Sequence, residues 1–228
     1  MNTYFEKQYE ILNESQETNG LYTLGPMSSF TWNNDPKRLL FVLSRYKFAA
    51  KMLEGCSHVL EVGCGDGFGS RIVRQHVGSL ILTDADPLMV EYARTCSCPA
   101  FPIDALCHNF VKEELSSPFR FDGAYLLDVL EHISVSDERL FFHNLTATLS
   151  AGAKVIVGMP STESQAFASQ GSIEGHVNCK SKEELGISLS QFFESVSLFS
   201  MNDELIHTGF ARMANYVVAL CVGPRRGI

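Results

Sequence analysis

The stretch Val59-Leu60-Glu61-Val62-Gly63-Cys64-Gly65-Asp66-Gly67-Phe68-Gly69 constrains this chain more than any other. An apolar, β-prone run leads into an acid and then into glycines at alternate positions. The pattern predicts a buried strand, a glycine-rich turn and a helix beginning near Phe68. Glycine suits such a turn because it adopts positive φ freely and lets a ligand approach the backbone closely. Turns of this kind sit at the ligand edge of α/β sheets, where they serve phosphates and nucleotides.

A second acid follows in register. Leu80-Ile81-Leu82-Thr83-Asp84 reads as another short strand ending in a carboxylate. That carboxylate lies roughly 20 residues beyond the glycines, the distance at which an acid meets ribose hydroxyls in a nucleotide-binding sheet. Taken alone, Asp84 could equally cap a helix N-terminus. The dinucleotide fingerprint G-x-G-x-x-G does not fit, because Gly63, Gly65, Gly67 and Gly69 simply alternate.

The motif instead resembles motif I of the class I S-adenosylmethionine-dependent methyltransferases, E/D-x-G-x-G-x-G. Asp84-Ala85-Asp86-Pro87-Leu88-Met89 is similar to that family's D-x-S-P-x-M segment, with Asp86 in place of Ser. Phe121-Asp122, followed by Val129-Leu130-Glu131-His132-Ile133, resembles its FDxxxxxxVLEHI segment. The resemblance covers residues 36 to 222 and implies a Rossmann-like α/β fold: a seven-stranded, mostly parallel sheet with helices on both faces. It implies S-adenosyl-L-methionine as cofactor, S-adenosyl-L-homocysteine as product, and cofactor contacts from Glu61, Gly63, Gly65, Asp84, Ala85, Asp104, Ala105 and Leu127. Phe101 to Ala105 reads as a third strand, and the resemblance gives Asp104 the adenine amino group; a turn-forming aspartate is the plain alternative.

Composition bounds the rest. The chain of 228 residues is 45% hydrophobic and 19% charged, as expected of one globular α/β domain. A net charge of −8 disfavours non-specific contact with polyanions, so nucleic acid is not an expected partner. The N-terminal residues show neither a basic start nor an apolar core, and no apolar run is long enough to span a bilayer; a cytoplasmic protein away from membranes is expected. Seven cysteines, an odd number, fit reduced thiols. Cys96-x-Cys98 and Cys107-His108 lack zinc-ligand spacing, so no metal is expected.

Residues 1 to 35 read as an N-terminal arm or lid, and 36 to 228 as the methyltransferase domain. Asp35-Pro36 looks like a helix start, Asp35 as N-cap and Pro36 at the first helical position. Arg45 on the ensuing helix is a candidate for the cofactor's carboxylate. Ser181-x-x-Glu184 is a capping box. Val196–Met201 and Tyr216–Val222 look like the closing strands, with a polar insertion between them. The long polar stretch from 160 to 180 has the character of an acceptor-side loop.

Methyl transfer needs the cofactor bound, water excluded and a nucleophile opposite sulfur. A hydroxyl nucleophile benefits from a base. His132, His176 and His207 are candidates, with His176 ranked first, since its loop belongs to the acceptor side; Glu131 reads as a helix-capping acid. His176-Val177-Asn178 resembles bacterial methyltransferases of surface-glycan and small-metabolite pathways. A small-molecule or glycan-precursor acceptor of polysaccharide biosynthesis, methylated at oxygen, is expected, with a homodimer as a further expectation. The N/D-P-P-Y of amino-methylating nucleic-acid enzymes and the Pro-Cys of cytosine C5 enzymes do not occur. A protein or nucleic-acid methyltransferase, a catalytically silent cofactor-binding subunit and a nicotinamide-binding domain remain the alternatives.

Overall fold

The computed structural model describes residue 6 and residues 9 to 226. Two helices, α1 (Glu10–Asn19) and α2 (Pro26–Asn34), precede α3 (Lys37–Met52). The core then alternates β1 (His58–Val62), α4 (Ser70–Arg74), β2 (Ser79–Asp84), α5 (Pro87–Arg94), β3 (Asp104–Cys107) and β4 (Phe121–Leu127). It continues with α6 (Glu138–Thr148), β5 (Leu149–Pro160), α7 (Gln170–Gly175), α8 (Lys182–Leu189), β6 (Phe193–Asn202), β7 (Leu205–His207) and β8 (Tyr216–Pro224).

All eight strands form one sheet, in the order β3-β2-β1-β4-β5-β8-β6-β7. β1 to β5 run parallel, and β8 enters antiparallel between β5 and β6. Parallel strands are buried on both faces, so their side chains divide by alternation. Leu60, Val62, Ala124 and Leu126 face one core, with Phe141, Phe142 and Leu145 of α6 and Leu185 and Leu189 of α8. Val59, Leu80, Leu82 and Tyr125 face the other, against Ala49 of α3, Leu53 just beyond its end, and Val90 and Ala93 of α5. Burying a side chain such as Leu60 or Phe142 completely contributes roughly 1.5–3 kcal/mol.

The sheet carries eight strands instead of seven. The polar segment between the closing strands folds into a hairpin, and β7 pairs with Ser200 to Asn202 at the edge. The helix start also moves: α3 begins at Lys37 behind Pro36, while Asp35 ends α2 and donates its N–H to the Thr31 carbonyl. Ser181 and Glu184 do form the capping box, each side chain bonding the other's backbone N–H. Among the described residues, no helix is long and apolar enough to cross a membrane.

The third strand needs the largest correction. It runs from Asp104 to Cys107, with Asp104 paired to Ile81 and Cys107 to Asp84. Asp104 therefore opens the strand, at the sheet edge opposite the ends of β1, β2 and β4. Ala105 points into the core, 5% exposed. Neither residue borders the clefts described below, and the adenine role is withdrawn from both; His108 and Asn109 occupy the end of that strand.

Candidate active site

The site forms where β1, β2 and β4 end. After Val62, the chain turns through Gly63, Gly65 and Gly67 at φ of 71°, 52° and 71°. These left-handed values carry a steric cost for any residue with a Cβ. Space adds to the demand: a Cβ on Gly65 would lie 2.7 Å from Met27 Sδ, and one on Gly63 would lie 2.3 Å from Val129 Cγ2. Asp84 at the end of β2 holds the turn, accepting the Gly65 N–H on Oδ2 (2.9 Å) and the Asp86 N–H on Oδ1 (2.9 Å). Asp86, not Asp84, caps α5, accepting the Leu88 N–H at 2.8 Å.

Two cavities flank this turn, sharing Met27, Gly63, Gly65 and Asp128 as their common wall. One is also lined by Arg45, Tyr46, Asp66 and Leu127. The other takes in Asp84, Ala85, Met89, His108, Asn109 and His132. They are two ends of one cleft along the carboxyl edge of the sheet, where ligands bind in folds of this architecture.

Glu61 stands apart from the other expected contacts. It is 2% exposed and points beneath the turn, where its carboxylate accepts hydrogen bonds from Tyr46 (2.9 Å), Ser70 (2.5 Å) and Tyr125. Burial pushes its carboxyl up to about 7 against the pull of those donors. It borders neither cavity, so its direct cofactor contact gives way to a supporting role under the glycine turn.

Asp128 is the residue that sequence reasoning missed. It directly follows β4 at φ 59°, one of two described non-glycine residues with positive φ. Such strain persists where surrounding structure enforces it and concentrates at functional sites. Its Oδ2 accepts a 2.6 Å bond from the Arg45 guanidinium, which also lies 3.8 Å above the Tyr216 ring. Its backbone N–H donates to the Gly158 carbonyl at 2.9 Å. The only sequence signal was an acid directly after an apolar strand, the same signal that marked Asp84.

The N-terminal arm docks on this turn. The Asp66 carboxylate accepts the Ser28 N–H (2.8 Å) and its hydroxyl (3.1 Å), and Tyr22 packs against Phe68 with ring centroids 5.8 Å apart. On the far side, the 160 to 180 segment folds against β4's extension. The Glu131 carbonyl accepts the N–H groups of Val177 (2.8 Å) and Asn178 (3.1 Å). Buried Glu138 anchors the same stretch through Asn178 (2.8 Å) and Lys180 (2.9 Å).

This folding brings His132 and His176 together, ring centroids 5.2 Å apart. His207 instead bonds Asn202 Oδ1 at 2.9 Å in the β6–β7 hairpin. Burial and the neighbouring His132 pull His176 below the ordinary imidazole range, so its ring is neutral near pH 7. Glu131 is not the capping acid expected of it. Its side chain is buried, neither carboxylate oxygen has a hydrogen-bond partner among the described residues, and burial with the nearby Asp128 charge pushes it up to about 9.

Residues 59 to 152 match the family model described as a methyltransferase domain. No curated protein matches the chain. Among solved structures, the N-methyltransferase NodS from Bradyrhizobium japonicum WM9, in complex with S-adenosyl-L-homocysteine, is similar with a TM-score of 0.62 at 15% identity. That similarity covers 96% of this chain and 100% of that one. The plantazolicin methyltransferase BpumL with S-adenosylhomocysteine superposes with a TM-score of 0.64 at 14% identity, over 96% of this chain and 97% of its own. The DhpI complex with the same product gives 0.62 at 15% identity, over 87% and 92%. At such identities the neighbours establish the fold, and the family model adds the domain. Residues 59 to 152 thus carry the match to a methyltransferase domain, on a fold shared with methyltransferases solved with S-adenosylhomocysteine.

Proposed function

We propose that this methyltransferase transfers its methyl group to a hydroxyl of a small molecule or glycan precursor, and that the His132–His176 edge receives that hydroxyl. The observation that carries the reading is the pairing of His176 with His132, the imidazole that lines the cleft, while His176 itself stands behind it and borders neither cavity. The net charge of −8 favours a small acceptor over a polyanion.

The cofactor supplies an electrophilic methyl carbon on sulfonium sulfur. The chain's part is to hold it and align the acceptor. In this reading Asp84 takes the ribose hydroxyls, with Ala85 beside it and the larger space towards His108 and Asn109 for the base. Gly63 and Gly65 let the ligand lie against the backbone. Arg45, steadied by Asp128, faces the other end of the cleft with Leu127, where the cofactor's amino-acid carboxylate needs a cation. The docked arm, with Ser28 tied to Asp66, covers this end as a lid.

His176→Ala is expected to lower turnover by about 10²-fold or more while leaving S-adenosylhomocysteine affinity nearly unchanged. Single-turnover assays beside calorimetric titration check it, and full activity in the variant removes His176 from the acceptor side. The acceptor class is tested by transferring labelled methyl from S-adenosylmethionine into fractionated bacterial extract. Label in small-molecule or nucleotide-sugar fractions supports the proposal. Label in protein or nucleic acid overturns it.

A further inference from the structure

We infer that Glu131, His132 and His176 form a binding site for one divalent transition-metal cation, which holds and acidifies the acceptor hydroxyl. The inference rests on the reading of an oxygen acceptor at this edge.

One donor atom from each of the three residues lies within 4.8 Å of the others. Ligands on a common ion at about 2.1 Å lie no more than about 4.2 Å apart, so a small side-chain adjustment closes the set. Each imidazole already has an oxygen partner on Nδ1. His132 Nδ1 lies 2.9 Å from the Gly175 carbonyl, and His176 Nδ1 lies 3.0 Å from Gln165 Oε1. Both partners only accept, so the neutral form of each ring carries its proton on Nδ1 and a lone pair on Nε2. An outer oxygen fixing the tautomer in this way accompanies nearly every metal-bound histidine.

Glu131 makes the case independent of the histidines. It is 1% exposed, and among the described residues neither of its carboxylate oxygens has a hydrogen-bond partner. Two buried polar oxygens without a partner are costly, and buried polar groups are normally hydrogen-bonded or bound to a metal. Glu131 receives no hydrogen bond from Arg45, which bonds Asp128 at 2.6 Å. Its backbone is pinned by Val177 and Asn178, which ties the residue bearing the carboxylate to the loop that carries His176. A sequence separation of more than forty residues is thus closed by two main-chain hydrogen bonds.

Two imidazoles and one carboxylate suit Zn²⁺, Fe²⁺, Co²⁺ or Mn²⁺, and they leave a coordination position for an exogenous oxygen. Ca²⁺ and Mg²⁺ prefer oxygen-only sets. With the acceptor oxygen on the cation, its O–H proton leaves to solvent. The oxygen then forms the new O–C bond as the C–S bond breaks, and that electron pair returns to sulfur, giving the methyl ether and S-adenosylhomocysteine.

The test is titration of chelator-treated protein with Co²⁺, followed by visible absorption, with Zn²⁺ competition. A band saturating near one equivalent and displaced by Zn²⁺ is expected. Glu131→Gln and, separately, exposed His132→Ala should each weaken cobalt binding about tenfold or more. No saturable band, or a band unchanged in both variants, overturns the site. The same samples are titrated with S-adenosylhomocysteine: intact cofactor binding without cobalt binding defeats the metal site alone. Cobalt binding with methyl transferred only to nitrogen acceptors defeats the oxygen reading instead.

Discussion

Glu61→Ala should destabilise the protein by about 3–6 kcal/mol, the largest loss expected from any single side chain near the cleft. The substitution would strand the partners that this carboxylate serves. Three hydroxyls, of Tyr46, Ser70 and Tyr125, converge on this one carboxylate, and Ser70 and Tyr125 are themselves fully buried. Leaving a buried donor unsatisfied costs about 1–3 kcal/mol, and the cavity left by the side chain adds to it. Glu61→Gln should cost far less, since an amide still accepts on one oxygen. Urea unfolding of both variants checks the ranking, and a Glu61→Ala loss below about 1 kcal/mol would mean that the hydroxyls find other acceptors. A pH signature follows as well. The folded carboxyl sits near 7, above its ordinary 4.5, so folding favours its protonated form. Its contribution is fully present below pH 4.5 and is lost as pH rises through 7. The stability advantage of wild type over Glu61→Gln should therefore shrink between about pH 5 and about pH 8.

What the sequence disclosed follows from how strongly each element is patterned. α5 spans Pro87 to Arg94 and β4 spans Phe121 to Leu127, and both are legible, because aspartate and proline mark the start of the first and the apolar Ala124-Tyr125-Leu126-Leu127 marks the second. β3 was misplaced for the opposite reason. It is an edge strand in which only Ala105 is buried, so Asp104-Ala105-Leu106-Cys107 carries little apolar signal, and the more apolar Phe101-Pro102-Ile103 drew the boundary too early. The arm's helices were invisible to periodicity because α2 buries a single residue, Ser28, and does so through hydrogen bonds to Asp66. Asp128 and the Glu131 cluster escaped because neither is a matter of local spacing. The first is defined by a backbone angle and a partner 83 positions away, and the second by a loop that returns His176 to His132. Motifs that recur along the chain are legible; encounters between distant segments are not.

Asp84→Asn should weaken S-adenosylhomocysteine binding by about 10- to 100-fold while leaving the fold largely intact. In the folded chain each Asp84 oxygen already accepts one backbone N–H, from Gly65 and from Asp86, both at 2.9 Å. A carboxylate oxygen can accept more than one bond, and the remaining lone pairs are those that ribose hydroxyls would use. The amide replaces one acceptor with a donor. Whichever way it turns, an N–H group then faces another N–H, and the bonds from a charged acceptor to the ribose weaken together. Bonds to charged groups are worth about 1.5–3 kcal/mol each, which sets the range. Calorimetric titration with S-adenosylhomocysteine measures the loss, and thermal unfolding of the free protein separates it from damage to the turn. Wild-type affinity in a folded variant would move the ribose away from β2, and the larger cavity beside Asp84 would then hold a different part of the cofactor.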